Sequence, residues 1–119
     1  MQDFHNIRVW QRAHEFAIDI RRAAREFPRQ GFGELKAQLI SAAESIPSNI
    51  VEGSAAVSRK EFARFIDISI KSSSEVEYRL LLAKDDGVLS PLRCQKLTAE
   101  VIEIRKMLCA FRRTLLKRK

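Results

Sequence analysis

The sequence predicts an all-α chain, folded as an antiparallel up-down-up-down four-helix bundle with a proline-kinked second helix, in a single domain over residues 1–119. Three observations carry that expectation. Apolar residues recur at steps of three and four through four separate segments. Only four glycines and three prolines punctuate the chain, which leaves room for long helices between them. Two serines stand where helices open, Ser58 three residues before Glu61 and Ser90 directly before Pro91.

The first segment runs Val9, Ala13, Phe16, Ala17, Ile20, Ala24 and Phe27, and Pro28 stops it. The second runs Leu35, Leu39, Ala42, Ala43, Ile46 and Ile50, with Gly53 expected just past its end. The third begins at the capping box Ser58-Arg59-Lys60-Glu61, flanked by Val57 and Phe62 at the positions of a hydrophobic staple. Its inward series is Phe62, Phe65, Ile66, Ser69, Ser73, Val76 and Leu80, and it is expected to end near Asp86-Gly87. Ser90 caps the fourth, where Leu97, Val101, Ile104, Leu108, Phe111 and Leu115 form a narrow seam. Short connections between long amphipathic segments place neighbours antiparallel.

Within the stretch SIPSNIVEG, residues 45–53, the apolar phase passes through Pro47 unshifted. That favours one kinked helix, with the hydroxyls of Ser45 and Ser48 as candidate partners for the carbonyls Pro47 leaves free. The alternative starts a new helix capped by Ser45. Glu52 opposes the dipole at a helix C-terminus and so calls for a partner. An ion pair with Arg59, Lys60 or Arg64 is one account, and a subunit or ligand contact is the other.

Composition narrows the function classes. Hydrophobic residues make up 45% of the chain, which suits a globular core. Residues 1–20 have no apolar signal core, and the run Leu80-Leu81-Leu82-Ala83 is too short to span a bilayer, so a cytoplasmic protein without membrane contact is expected. Cys94 and Cys109 lie on one helix, about 22 Å apart by its rise, which forbids a disulfide between them. Neither has a second ligand at metal spacing.

Enzymatic signatures are missing. His5 and His14 follow Gln2 and Gln11 at the position where a di-iron bundle needs Glu. Glu75 and Glu77 point to different helix faces, and no Walker loop, G-x-G-x-x-G or G-x-S-x-G occurs. No catalytic residue, metal or cofactor is expected.

The segments VWQRAHEFAIDI, LKAQLISAAESIPSNIVEG and SRKEFARFIDISIKSSSEVEYRLLLA resemble the bacterial four-helix-bundle family of large-subunit rRNA intervening-sequence proteins. The accessory variability proteins of diversity-generating retroelements look like relatives. The resemblance implies a homopentamer with a basic surface and no catalytic activity, whose members are expected to bind RNA, DNA or a polymerase partner such as a reverse transcriptase. The family's motif falls on Ser45, Pro47, Asn49, Glu52 and Gly53, with a structural or interfacial role.

Charge distribution supplies the candidate site. All fifteen acids lie at or before Glu103, and the +7 excess sits in the last fifteen residues. Antiparallel connectivity gathers Arg8, Arg12, Arg59, Lys60, Arg64, Arg105, Lys106, Arg112, Arg113, Lys117, Arg118 and Lys119 toward one pole and one outer face, with fewer acids among them. Arg105, Arg112 and Lys119 repeat every seven residues beside Lys106 and Arg113, so a basic stripe along the last helix is expected. Such a surface suits phosphate contact by charge alone. Cations at a helix C-terminus also gain about 0.3–1 kcal/mol from the dipole with no ligand at all. Apolar residues outside the inward stripes, among them Trp10, Ile18, Ile68, Ile70, Leu81 and Leu82, suggest self-association. Two readings stay open: a homo-oligomer binding RNA or DNA without base readout, and a scaffold whose cations meet an acidic or polymerase partner.

Overall fold

The computed structural model describes residues 2–117 as four helices and a short 3-10 turn, with no strand among the described residues. The turn Phe4–Asn6 leads into α1 (Arg8–Ala24), α2 (Gly33–Ser54), α3 (Arg59–Asp85) and α4 (Pro91–Leu116). Each helix packs on its predecessor and α4 returns to α1, giving a bundle 51 Å long and about 20 Å across. The interior is filled by Phe16 and Ile20 of α1, Leu39, Ile46 and Ile50 of α2, Ile66, Val76 and Leu80 of α3, and Val101, Ile104 and Leu108 of α4. These are residues of the inward series read from the sequence.

The caps follow their chemistry. Ser58 Oγ accepts from the Glu61 N–H at 3.0 Å, and Ser90 Oγ accepts from the Arg93 N–H at 3.2 Å. At the far end of α3, Gly87 adopts φ +78°. Its N–H reaches the Lys84 carbonyl while Val88 N–H reaches that of Ala83, the paired bonds of a Schellman stop.

Four local expectations are corrected. Helix α1 ends at Ala24 rather than Phe27, because Glu26 and Phe27 N–H groups bond to Ala23 and Ala24 in a tightened turn ahead of Pro28. Phe27 is still buried. Val57 is 93% exposed and staples nothing; the buried residue in that connection is Ala56. Helix α2 runs unbroken through Pro47, in agreement with the favoured single-helix reading, and the alternative start at Ser45 does not occur. The Ser45 and Ser48 hydroxyls take no backbone carbonyl there; Ser45 Oγ instead accepts from Ser72 Oγ at 2.8 Å.

Gly53 is the fourth correction. It lies inside α2 rather than past its end and has no positive φ. A Cβ there would meet Phe62 Cδ1 at 2.5 Å and Phe65 Cβ at 3.0 Å. The glycine is required by the close approach of α3, not by a left-handed cap.

The seam of α4 is wider than a strict coiled coil. Val101, Ile104, Leu108 and Leu115 are buried, whereas Leu97 and Phe111 are half-buried against the core edge. Trp10, Ile70 and Leu82 are likewise half-buried. Ile18, Ile68, Tyr78 and Leu81 stay exposed. Cys94 and Cys109 are both free thiols.

Candidate nucleic-acid interface

The beginning of α1, the end of α2, the beginning of α3 and the end of α4 meet at one pole, and hydrogen bonds tie them. Gln2 N–H donates to the Ser54 carbonyl at 2.9 Å, fixing the N-terminal segment to the end of α2. Asp3 accepts from the His5 N–H at 3.0 Å and caps the 3-10 turn. Its carboxyl sits below the ordinary carboxylate range, held first by the hydrogen bond to the His5 ring and then by the one to the His5 backbone. Arg59 Nε and Nη2 donate to the carbonyls of Leu115 and Thr114 at 3.0 and 2.6 Å. Phe62 meets Phe111 edge-on beneath them, with centroids 5.3 Å apart.

The cations expected at this pole divide into two sets. Arg12 is held by Glu100 through Nε and Nη2 at 3.0 and 2.8 Å, and that partner raises its guanidinium pKa further. Arg105 is bound to Glu77 of α3 and Arg112 to Asp67 of α3. Arg59 is occupied with the end of α4. The heptad Arg105–Arg112 therefore braces α4 against α3, which corrects the expectation that it forms part of a continuous basic outer stripe. Sequence spacing alone did not reveal this, since Glu77 and Asp67 become neighbours only when the helices pack.

Arg8, Lys60, Arg64, Lys106, Arg113 and Lys117 have no carboxylate partner among the described residues. All are exposed. They flank α4 on two sides. Lys60 and Arg64 share a helical stripe with Asp67, beside Arg112, while Lys106, Arg113 and Lys117 follow the outer face of α4 that carries Ala110. Glu52, Glu61 and Glu103 are acids near them with no ion-pair partner among the described residues. Arg118 and Lys119 lie outside the described residues. The opposite pole mixes its exposed cations Arg25, Arg29 and Lys96 with Glu34, Asp85 and Asp86, so the charge asymmetry belongs to one end.

The sequence marks Phe4, Trp10 and Tyr78 as rings able to stack on bases, with core or interface packing their commoner use; the structure joins the first two to a pair of histidines. Phe4, His5, Trp10 and His14 form an aromatic stack, with Trp10 and His14 nearly parallel at 5.0 Å and Phe4 edge-on to Trp10 at 4.8 Å. The spacing of Trp10 and His14 at i and i+4 was the available signal. Among the described residues no three His, Cys, Asp or Glu side chains converge as metal ligands, and no helix is long and apolar enough to cross a membrane.

The family model described as "23S rRNA-intervening sequence protein" matches residues 5–110. The chain belongs to that family. A crystal structure from the S23 ribosomal protein family of Bacteroides thetaiotaomicron, a protein with unknown function, superposes on this chain with a TM-score of 0.80 at 26% identity. The match covers 86% of this chain and 95% of the other. No curated protein matches.

In this member of the 23S rRNA-intervening sequence family, the motif residues Ser45 and Gly53 lie at the α2–α3 contact, while Pro47 borders Trp10 and His14 of α1. Asn49 Nδ2 donates to the Ser45 carbonyl at 2.8 Å and to Ser45 Oγ at 3.0 Å. Ser45 Oγ in turn receives Ser72, and Ser69 Oγ donates to the Ile46 carbonyl at 2.8 Å. Pro47 is buried and lacks the N–H that would bond Ala43. Gly53 admits Phe62. Glu52 is exposed and has no ion-pair partner among the described residues, so the expected bridge to Arg59, Lys60 or Arg64 does not form.

Proposed function

We propose that this chain is a non-catalytic, self-associating nucleic-acid-binding protein that holds phosphates through its basic pole without reading base sequence. The observation that carries the reading is the set of exposed cations at one end, Arg8, Lys60, Arg64, Lys106, Arg113 and Lys117, left without carboxylates among the described residues while Arg12, Arg105 and Arg112 are engaged in ion pairs. Self-association into the homopentamer that the sequence resemblance implies would repeat the patch, so several weak phosphate contacts would act together.

An apolar groove of about 660 Å³ between α3 and α4, bordered by Tyr78, Leu81 and Ile102, supports self-association. Tyr78 is 55% and Leu81 43% exposed there. The same groove favours the second reading, a scaffold for a polymerase or another protein partner. Filter binding of a labelled oligonucleotide over a series of salt concentrations tests the first reading. Affinity falling steeply with salt supports it, and binding that is absent at low salt rules it out.

A further inference from the structure

We propose that the groove between α1 and α4 at the basic pole receives an unpaired nucleobase, so that the protein holds single-stranded nucleic acid in preference to duplex. The inference rests on the nucleic-acid reading above and specifies the form of polymer that this pole selects.

The groove exists because α1 and α4 are the least closely packed neighbouring helices and because Ala110 presents only a methyl to the gap. It encloses about 410 Å³, within the range of about 300–1,000 Å³ typical of small-ligand sites. Val9, Met107 and Phe111 make an apolar floor, and Asn6, Arg8 and Thr114 stand on the rim. An apolar floor ringed by amide and hydroxyl groups suits a flat heterocycle with hydrogen-bonding edges.

Both walls are fixed in advance. The α1 side is held by Gln2 N–H on the Ser54 carbonyl and by Gln11 Nε2 on the His5 carbonyl at 2.7 Å. The α4 side is held by Arg59 on the carbonyls of Thr114 and Leu115. A ligand entering such a groove orders little that is not already ordered.

Charge makes the occupant anionic. Arg8 lines one wall, and Lys106, Arg113 and Lys117 stand at i−4, i+3 and i+7 from Ala110, so they share its helix face. Of the acids on this side, Glu100 is paired with Arg12 and Asp3 is hydrogen-bonded to His5, while Glu15 and Glu103 have no ion-pair partner among the described residues. Lys106 and Arg113 stand two turns, about 10 Å, apart with Ala110 between them, and Lys117 follows one turn on, so phosphates on either side of a base inserted at Ala110 can each meet a cation. A duplex offers the phosphates but keeps its bases stacked inside, so the groove adds affinity only for a single strand.

Fluorescence anisotropy at one moderate salt concentration tests this with three probes of equal phosphate count: a single-stranded RNA, an RNA duplex of half its length, and an abasic strand of the same length. The single strand is expected to bind roughly ten-fold more tightly than the other two. Ala110→Leu, at an exposed position, fills the groove without adding a ring on which a base could stack, and is expected to abolish that advantage while leaving duplex affinity and its salt dependence unchanged; Ala110→Val serves if the larger residue disturbs folding. Equal, salt-dependent affinity for all three probes overturns the groove while leaving phosphate binding intact. A single-strand preference that survives in a folded groove-filling variant also overturns it. No salt-dependent binding of any probe removes the nucleic-acid reading itself and the inference with it.

Discussion

A single methyl at position 53 would reach within 2.5 Å of the Phe62 ring. Gly53→Ala should therefore force α2 and α3 apart, at a cost of about 1–3 kcal/mol, read as a lower urea midpoint with an unchanged slope. An unchanged midpoint would mean that Phe62 swings aside freely. The neighbouring hydrogen bonds extend the logic: Ser69 reaches a main-chain carbonyl of α2 and Ser72 reaches Ser45, so small polar residues take the place of apolar packing where the two backbones come close. Asp3 gives a pH prediction. Its lowered folded-state pKa contributes order to the N-terminal turn above its ordinary value of 3.8, and that order is lost as pH falls through the folded value. The His5 amide signal should thus titrate with a midpoint below 3.8, and Asp3→Asn should abolish the titration. A wild-type midpoint at or above the ordinary value would contradict the assignment.

Between elements, the Arg59 guanidinium at the start of α3 caps the last carbonyls of α4. Arg59→Ala should fray that turn, raising amide exchange near residues 112–116 and costing roughly 1–2 kcal/mol of stability, since hydrogen bonds from charged groups contribute about 1.5–3 kcal/mol and this one is partly solvated. Exchange unchanged from the wild type would show that the cap is idle. The helices themselves were largely legible from sequence: period located all four, and Ser58 and Ser90 fixed two of their starts. Boundaries were less so where tertiary packing overrode local signals. Gly53 carried the sequence mark of a helix stop, yet its reason is the ring of a residue on another helix. Val57 had the position of a staple, but the connection turns it outward. The charge pattern was half legible in the same way. The clustering of cations at one pole follows from connectivity, whereas the pairing of Arg105 with Glu77 and of Arg112 with Asp67 depends on the rotation of α4 against α3, which spacing alone does not give.

The described residues form a rod with unpaired cations at one end and an apolar groove between α3 and α4. Tyr78 and Leu81 border a groove that reaches Ile102 on α4, one turn before Lys106, so association through it leaves Arg113 and Lys117, farther along the helix, uncovered. Leu81→Asp should lower the assembled mass seen by analytical ultracentrifugation while the circular dichroism of the helices stays unchanged. A mass unaffected by the substitution would place the interface elsewhere. If the unpaired cations hold phosphate and the paired ones do not, oligonucleotide affinity must depend on salt through the first set alone. The slope of log affinity against log salt should flatten in Lys106→Gln with Arg113→Gln and Lys117→Gln, by about one unit for each phosphate no longer neutralised, while Arg105→Gln leaves the slope as it was. A slope that is flat in the wild type, or that responds to Arg105 and not to the other three, would show that this pole does not hold phosphate in the way its unpaired charges imply.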